Sequence, residues 1–182
     1  MNYSTTQLGL ALGISIKTFS FRDARSGRYT KNFTARDNEM RAEAEDYHER
    51  QPYAVLIGLV FLPLDACEDG EDAKWSSFAQ AVEIFRWRAG RREPTDKPSL
   101  FEKLFLGVYR AEEPRRGEVW FFDVEELPPR RGVPPPELRL DWNRLVDVIV
   151  DVYDRRNGIS LRDPEGYGRE KRRRERDRSG RA

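Results

Sequence analysis

The stretch YAVLIGLVFLPL, residues 53–64, is an unbroken apolar run rich in Val, Leu, Ile and Phe. A strand with one solvent-facing side alternates apolar and polar residues, whereas a strand buried on both faces does not. The run is too short for a membrane-spanning helix, which needs roughly 20 apolar residues. The pattern therefore predicts a strand in the middle of a sheet that is covered on both faces.

The segment LGLALGISIKTFSFRD, residues 8–23, predicts a second strand over residues 7–21. Its bulky side chains recur with a period of two, while the other register carries small residues and Lys17. One face of this strand should pack against the core, and the other should allow something to approach closely. Residues 23–32 follow as a polar loop.

Three segments have helical patterns. Residues 34–50 begin at Thr34 as a cap, and residues 76–90 end at Gly90. Residues 142–157 follow Asp141 as a cap. The apolar residues that we expect to face inward from the last helix are Trp142, Leu145, Val146, Ile149, Val152 and Tyr153.

The segment between the second and third helices gives mixed signals. Ser99 and Glu102 form a capping-box pattern, which predicts a short helix, and the residues that follow predict a β-hairpin up to about residue 126. The proline-rich residues 127–137 should form an extended connector. The alternation of strands and helices predicts an α/β fold, with a central mixed sheet flanked by helices.

We expect one domain over residues 1–161 and a charged, disordered tail over residues 162–182, which has nine cationic and five acidic residues. The tail is either simply solvated or an arm that binds phosphate backbones. The formal net charge of the whole chain is only +1, so composition alone does not indicate a nucleic-acid partner. The single cysteine, Cys67, excludes an internal disulfide, and no apolar run is long enough to span a membrane, so we expect a cytoplasmic protein.

Lys17 has two interpretations. It is either an edge-strand lysine that extends to water and discourages aggregation, or an ammonium group that faces a cleft and binds an oxyanion or orients a water molecule. A lysine on a central strand is unfavourable unless another group pairs with it.

The string GISIKT, residues 13–18, followed by a helix and a buried strand, resembles the core of the PD-(D/E)xK, restriction-endonuclease-like nucleases. Residues 29–63 are also similar to bacterial proteins described as restriction endonucleases, so the resemblance covers roughly residues 8–62. It implies a restriction-endonuclease-like fold and a DNA endonuclease, or nuclease-like subunit, in a restriction or phage-defence system. It also implies a magnesium or manganese cofactor that screens the phosphodiester and polarises a water molecule, with Lys17 as the family's lysine.

Ser15 stands where the family has a glutamate or aspartate, and the first carboxylate of the chain is Asp23. Three explanations remain open: an upstream strand is missing, the carboxylates have moved to another element, or the fold is retained without catalysis. Measured from the helix's apolar stripe, Glu43 and Asp37 lie about 60° to either side, so both could lean toward the sheet. Glu43, Asp37 and Asp23 are therefore the candidate metal ligands.

Glu43 is also the candidate partner of Lys17, the alternative being a salt bridge with Arg36 or Arg50. His48 is the only histidine and lies about 80° from the same stripe, which makes it a candidate general base or phosphate ligand. The alternative is a boundary histidine that bonds to the backbone.

Cations that could bind nucleic acid are concentrated in the loop at residues 25–32 and on the first helix. They are Arg25, Arg28, Lys31 and Arg41. Tyr29 and Asn32 could add contacts to sugars or bases. These surfaces leave a second hypothesis open, a nonenzymatic module that binds DNA, a partner protein or a second copy of the chain.

Overall fold

The computed structural model describes residues 2–5, 9–70, 74–157 and 161. The described part forms one five-stranded sheet with three α-helices packed on it. In chain order the elements are β1 Asn2–Thr5, β2 Gly9–Thr18, α1 Phe33–Arg50, β3 Val55–Pro63, α2 Ser77–Arg86, β4 Lys103–Tyr109, β5 Val119–Asp123 and α3 Trp142–Asn157. Two short 3₁₀ turns, Leu64–Cys67 and Pro136–Leu138, complete the list.

The sheet is mixed, and its spatial order β1-β2-β3-β4-β5 follows the order of the chain. The central strands β2, β3 and β4 are parallel, while β1 and β5 pair antiparallel at the two sides. β3 lies in the middle, and all of its residues except Phe61 are buried. The predicted α/β fold with a central mixed sheet is therefore confirmed.

The helices lie on opposite faces of the sheet. The β2-α1-β3 and β3-α2-β4 crossovers step across the sheet in the same direction, so crossovers of the same hand put α1 and α2 on the same face. α3 comes after the hairpin and packs on the other face, against β3 and β5.

The two faces of β3 pack into two separate hydrophobic cores. Leu56, Val60 and Leu62 pack with residues of α1 and α2, while Val55, Ile57 and Leu59 pack with α3. This division follows from the period-two geometry of a strand. Gly58 faces α1, where a Cβ atom would lie 2.9 Å from the Met40 Cε atom, so the missing side chain lets the helix approach closely.

Several predicted element boundaries are correct. Asp141 caps α3 by accepting a hydrogen bond from the Arg144 N–H at 2.8 Å, and Ser76 caps α2 through the Ala79 N–H at 3.2 Å. The β4-β5 hairpin also forms as predicted. The predicted disordered tail, residues 162–182, lies outside the described residues.

Other expectations were wrong. Residues 99–102 do not form a helix, because the Glu102 carboxylate is buried and binds the Leu56 N–H of β3 at 2.7 Å instead of capping a turn. α1 begins at Phe33, and the residue at its N-cap is Asn32, not Thr34. Trp142 and Val146 are about half exposed, at 52% and 51%, because they lie at the side of the face that α3 buries. Strand β1 was not predicted at all.

No helix in the described part of the chain combines the length and apolarity needed to cross a membrane.

Candidate active site around Lys17 and Glu43

β2 and α1 bring three polar side chains together. Ser15 and Lys17 are two residues apart on β2, so both point to the face that α1 covers. The Ser15 hydroxyl donates to the Glu43 Oε2 atom at 2.6 Å, and the Lys17 ammonium donates to the Glu43 Oε1 atom. Glu43 is therefore the partner of Lys17, and we call these three residues the Ser-Lys-Glu cluster.

The cluster lies in the wall of a cavity of about 310 Å³. Asn2 of β1, Gly13 of β2 and Tyr47 of α1 also line this cavity. The Lys17 side chain is 15% exposed and that of Glu43 is 38% exposed. The ion pair is thus partly shielded from water, yet a molecule in the cavity can reach it.

The strand pairing leaves one side of Lys17 without a neighbouring strand in the described residues. β1 pairs with β2 only between Gly9 and Gly13, whereas β3 pairs as far as Thr18. The ammonium nevertheless turns toward α1 and Glu43 instead of extending into bulk water. Of the two interpretations of Lys17, the geometry favours a group that faces a cleft.

The three predicted metal ligands do not meet. Both Asp37 oxygens accept hydrogen bonds from Arg88, at 2.7 and 2.9 Å, because the chain after α2 returns beside the start of α1. Asp37 and Glu43 are also separated by about 9 Å along the helix axis. Within the described residues, no group of three or more His, Cys, Asp or Glu side chains is arranged to hold a metal ion.

Asp23 has a local structural role. Its carboxylate accepts hydrogen bonds from the backbone and hydroxyl of Ser26, at 2.8 and 2.9 Å, and from the Arg25 N–H at 3.1 Å. These bonds hold the pKa of Asp23 below its ordinary value, with Ser26 making the largest contribution. The residue fixes the turn after β2 and does not join Glu43 as predicted.

His48 does not face the cavity as a catalytic base would. Its ring is fully buried, with Nδ1 at 2.9 Å from the Pro98 carbonyl oxygen and Nε2 at 3.5 Å from Glu102 Oε2. The helical angle predicted a boundary position for His48, but the segment before β4 covers the ring completely. The alternative of a histidine bonded to the backbone is the one that the structure supports.

The predicted nucleic-acid-binding cations are divided between exposed and engaged side chains. Arg25 and Arg41 are exposed, and the exposed Lys31 lies 3.8 Å from Asp23. The Arg28 guanidinium donates to the Trp75 carbonyl and is less accessible. Tyr29 is 7% exposed, and burial is the main cause of its raised pKa, so it cannot contact a base.

Sequence reasoning missed a buried charge cluster beside the start of β3. The Glu102 Oε1 atom lies 2.9 Å from Arg91 Nη1 and 3.3 Å from Arg156 Nη2. These residues come from three separate segments, and no periodic pattern connects them. The apparent capping box at residues 99–102 predicted that Glu102 caps a helix, which is a different role.

Comparison with protein-family models, curated proteins and solved structures gives no match for this chain.

Proposed function

We propose that the chain is a metal-dependent deoxyribonuclease, or a nuclease-like subunit of a restriction or phage-defence system, with its site at the Ser-Lys-Glu cluster. The convergence of Ser15 and Lys17 on the Glu43 carboxylate, in the wall of an open cavity, carries the proposal. Apolar residues fill such positions at lower desolvation cost than an ion pair does. An ion pair in a cavity is therefore a candidate functional site.

The arrangement matches the explanation in which a carboxylate has moved to another element. Ser15 occupies the sequence position where the resembled family carries its acidic residue, and Glu43 of α1 places a carboxylate 2.6 Å from the Ser15 hydroxyl. A carboxylate thus reaches this position from the helix, beside the lysine that the family pattern requires.

The oxygen donors around the cavity fit one magnesium or manganese ion and not a multi-carboxylate centre. They are the Glu43 carboxylate, the Ser15 and Tyr47 hydroxyls and the Asn2 side-chain amide. Magnesium accepts this type of set because it keeps several waters and often binds through one or two carboxylates plus substrate phosphate. The ion would screen the phosphodiester charge and supply a polarised water.

The residues of the chain have separate tasks in this proposal. Glu43 would hold the ion, and Ser15 would fix the orientation of the Glu43 carboxylate through its hydrogen bond. Lys17 would exchange its contact with Glu43 for a phosphate oxygen when DNA enters, because a lysine ammonium binds phosphate as a point charge. The exposed Arg25, Lys31 and Arg41 would position the DNA backbone.

The test is cleavage of supercoiled and linear DNA with magnesium or manganese. The wild-type protein should cut, and Glu43→Gln and Lys17→Met should each reduce the rate by about hundredfold or more, since electrostatic groups at such sites contribute at this scale. Glu49→Gln is the matched control, because it makes the same charge change at an exposed position of α1. Cutting at equal rates by wild type, Glu43→Gln and Lys17→Met would contradict the assignment.

One observation favours a second candidate, the nonenzymatic DNA-binding module. Asp23 and Asp37 are engaged elsewhere, so Glu43 is the one acidic side chain among the described residues lining the cavity. Two results together would support this module and exclude the nuclease. The protein would cleave no DNA with either metal, and it would bind DNA in a salt-dependent way that Arg25→Gln and Lys31→Gln weaken.

A further inference from the structure

A second cavity, of about 450 Å³, lies between the segment after α2 and the C-terminal end of α3. Four arginines and two glutamates line it, which leaves a formal excess of two positive charges. The arginines are Arg91, Arg92, Arg155 and Arg156. We call this feature the arginine cavity, and neither the Ser-Lys-Glu cluster nor its proposed chemistry involves it.

Two of the four guanidinium groups are buried and held rigidly. The Arg91 side chain is 1% exposed and donates to the carbonyl oxygens of Pro52 at 3.1 Å and Pro94 at 2.8 Å. The Arg156 side chain is 7% exposed and donates to the Arg92 carbonyl at 2.6 Å. Carbonyl groups therefore fix the positions of both cations before any ligand arrives.

The acidic groups nearby neutralise this pair of arginines only in part. Glu102 is the one carboxylate in contact with both, and its second oxygen is already bound by the Leu56 N–H at 2.7 Å. The Asp96 carboxylate accepts the backbone N–H groups of Arg92 and Glu93, and it also interacts with the charges of Arg91 and Arg156 without forming an ion-pair contact with either. Two buried cations thus share one buried anion.

Unused hydrogen-bond donors are the second indication of a ligand. Arg91 Nε and Arg156 Nη1 are buried and have no hydrogen-bond partner among the described residues. Buried donors in folded proteins almost always have a partner, so an orphaned pair beside one cavity indicates a group that binds there.

The rim of the cavity is built from exposed side chains. The Arg92 side chain is 55% exposed and paired with Glu125 at 2.7 Å, and Arg155 is exposed on α3. Tyr53 also lines the cavity, and it is 63% exposed. An aromatic ring beside a cationic pocket can pack against a sugar or base attached to a bound anion.

We propose that the arginine cavity binds a phosphate monoester. At neutral pH this group carries a charge of about −1.5 to −2 and three strong acceptor oxygens, which matches the positive excess and the surplus of donors. Arginine is suited to such ligands because its planar group presents parallel N–H donors to phosphate oxygens. Two ligands present such a group of acceptor oxygens, free inorganic phosphate and a nucleotide with a 5′-phosphate.

Calorimetric titration of the full chain tests this proposal, with inorganic phosphate, deoxyadenosine 5′-monophosphate and deoxyadenosine as probes. Both phosphates should bind with a saturable 1:1 signal, and deoxyadenosine should not. Tighter binding of the nucleotide assigns Tyr53 to the attached nucleoside, whereas equal or weaker binding assigns the site to free phosphate. The absence of saturable phosphate binding would overturn the proposal.

Variants at the rim keep the test independent of folding. Arg155→Gln and Arg92→Gln should each weaken phosphate binding by about tenfold, because a hydrogen bond to a charged group is lost. Arg144→Gln removes the same charge from an exposed position of α3 outside the cavity and should bind as wild type does. Lys17→Met, which removes the phosphate-binding ammonium proposed for the Ser-Lys-Glu cluster, should also bind phosphate normally, and this separates the two sites. Unchanged binding in both rim variants would refute the site.

Discussion

Lys17 of β2 and Glu43 of α1 form an ion pair across 26 residues of sequence, and the Ser15 hydroxyl binds the other oxygen of the same carboxylate. The pair joins the central sheet to the helix that covers it, and it does so at the wall of a cavity. The contribution of this ion pair to the free energy of unfolding can be measured.

A double-mutant cycle with Lys17→Met and Glu43→Gln measures the ion pair. Each single substitution should lower the free energy of unfolding by about 1 kcal/mol, because the partner is left partly buried without its counter-charge. The double variant should lose less than the sum of the two single variants. Urea denaturation gives the three values, and additive losses would contradict direct coupling.

Glu102→Gln should be far more destabilising, by about 3–5 kcal/mol, since it leaves Arg91 and Arg156 buried without an anion. Glutamine keeps an oxygen for the Leu56 N–H, so the loss reports the charge and not the hydrogen bond to β3. Glu49 is exposed, so the control variant Glu49→Gln should change the free energy of unfolding by no more than about 0.5 kcal/mol. Similar values for the two variants would show that Glu102 is not a buried counter-ion.

Gly107→Ala should destabilise the sheet by about 1–3 kcal/mol through overpacking. A Cβ atom at this position would lie 2.6 Å from Phe61 Cε1 and 3.2 Å from Phe121 Cε1. Adding Phe61→Leu should recover part of the loss in thermal unfolding, because the smaller side chain vacates the contact. A lower unfolding temperature for the double variant than for Gly107→Ala alone would show that Phe61 is not the source of the overpacking.

The Cys67 thiol should be unreactive in the folded protein. The side chain is buried, and burial, followed by the charges of Glu68 and Asp69, raises the pKa of Cys67 to about 12. The thiolate is the nucleophile, so labelling by a disulfide reagent at pH 8 should be about hundredfold or more slower than in denaturant. Since the chain has one cysteine, all of the absorbance that the disulfide reagent releases reports this residue. Rapid labelling of the folded protein would disprove its burial.

Asp96 should contribute to acid sensitivity. The Glu93 and Arg92 backbone N–H groups hold the pKa of Asp96 below its ordinary value. A carboxylate with a lowered pKa stabilises the fold above the ordinary aspartate pKa of about 4, and this contribution is lost as the pH falls through the lowered value. The stability difference between wild type and Asp96→Asn should therefore shrink in acid, which denaturation at several pH values measures. A difference that stays constant down to about pH 2 would contradict this role.

The sequence was sufficient for features that depend on local periodicity. The continuous apolar run identified β3 as the central strand, and the alternation before Lys17 placed Ser15 and Lys17 on one face of β2. The other face is not packed along its whole length, because Ile16 is 54% exposed. Helical angles placed Glu43 near the sheet, where it meets Lys17. These inferences succeeded because strand and helix geometry alone decides which residues share a face.

Features that depend on contacts between distant segments were not predictable. Asp37 lies as far from the apolar stripe of α1 as Glu43 does, on the opposite side, but it is bound by Arg88, which is 51 residues away. His48 was predicted at a boundary, yet it is buried and bonded to the Pro98 carbonyl, 50 residues away. One sequence has no periodic signal for such pairs, so angles alone could not separate a metal ligand from a structural carboxylate.

The sequential order of the strands in the sheet has a consequence for biogenesis. Each strand pairs with the strand that precedes it in the chain, so none must insert between two partners that are already joined. On the ribosome, each newly emerged strand can add to the growing edge as translation proceeds. α3 then covers the apolar face formed by β3 and β5, so this surface becomes buried only after α3 has left the exit tunnel.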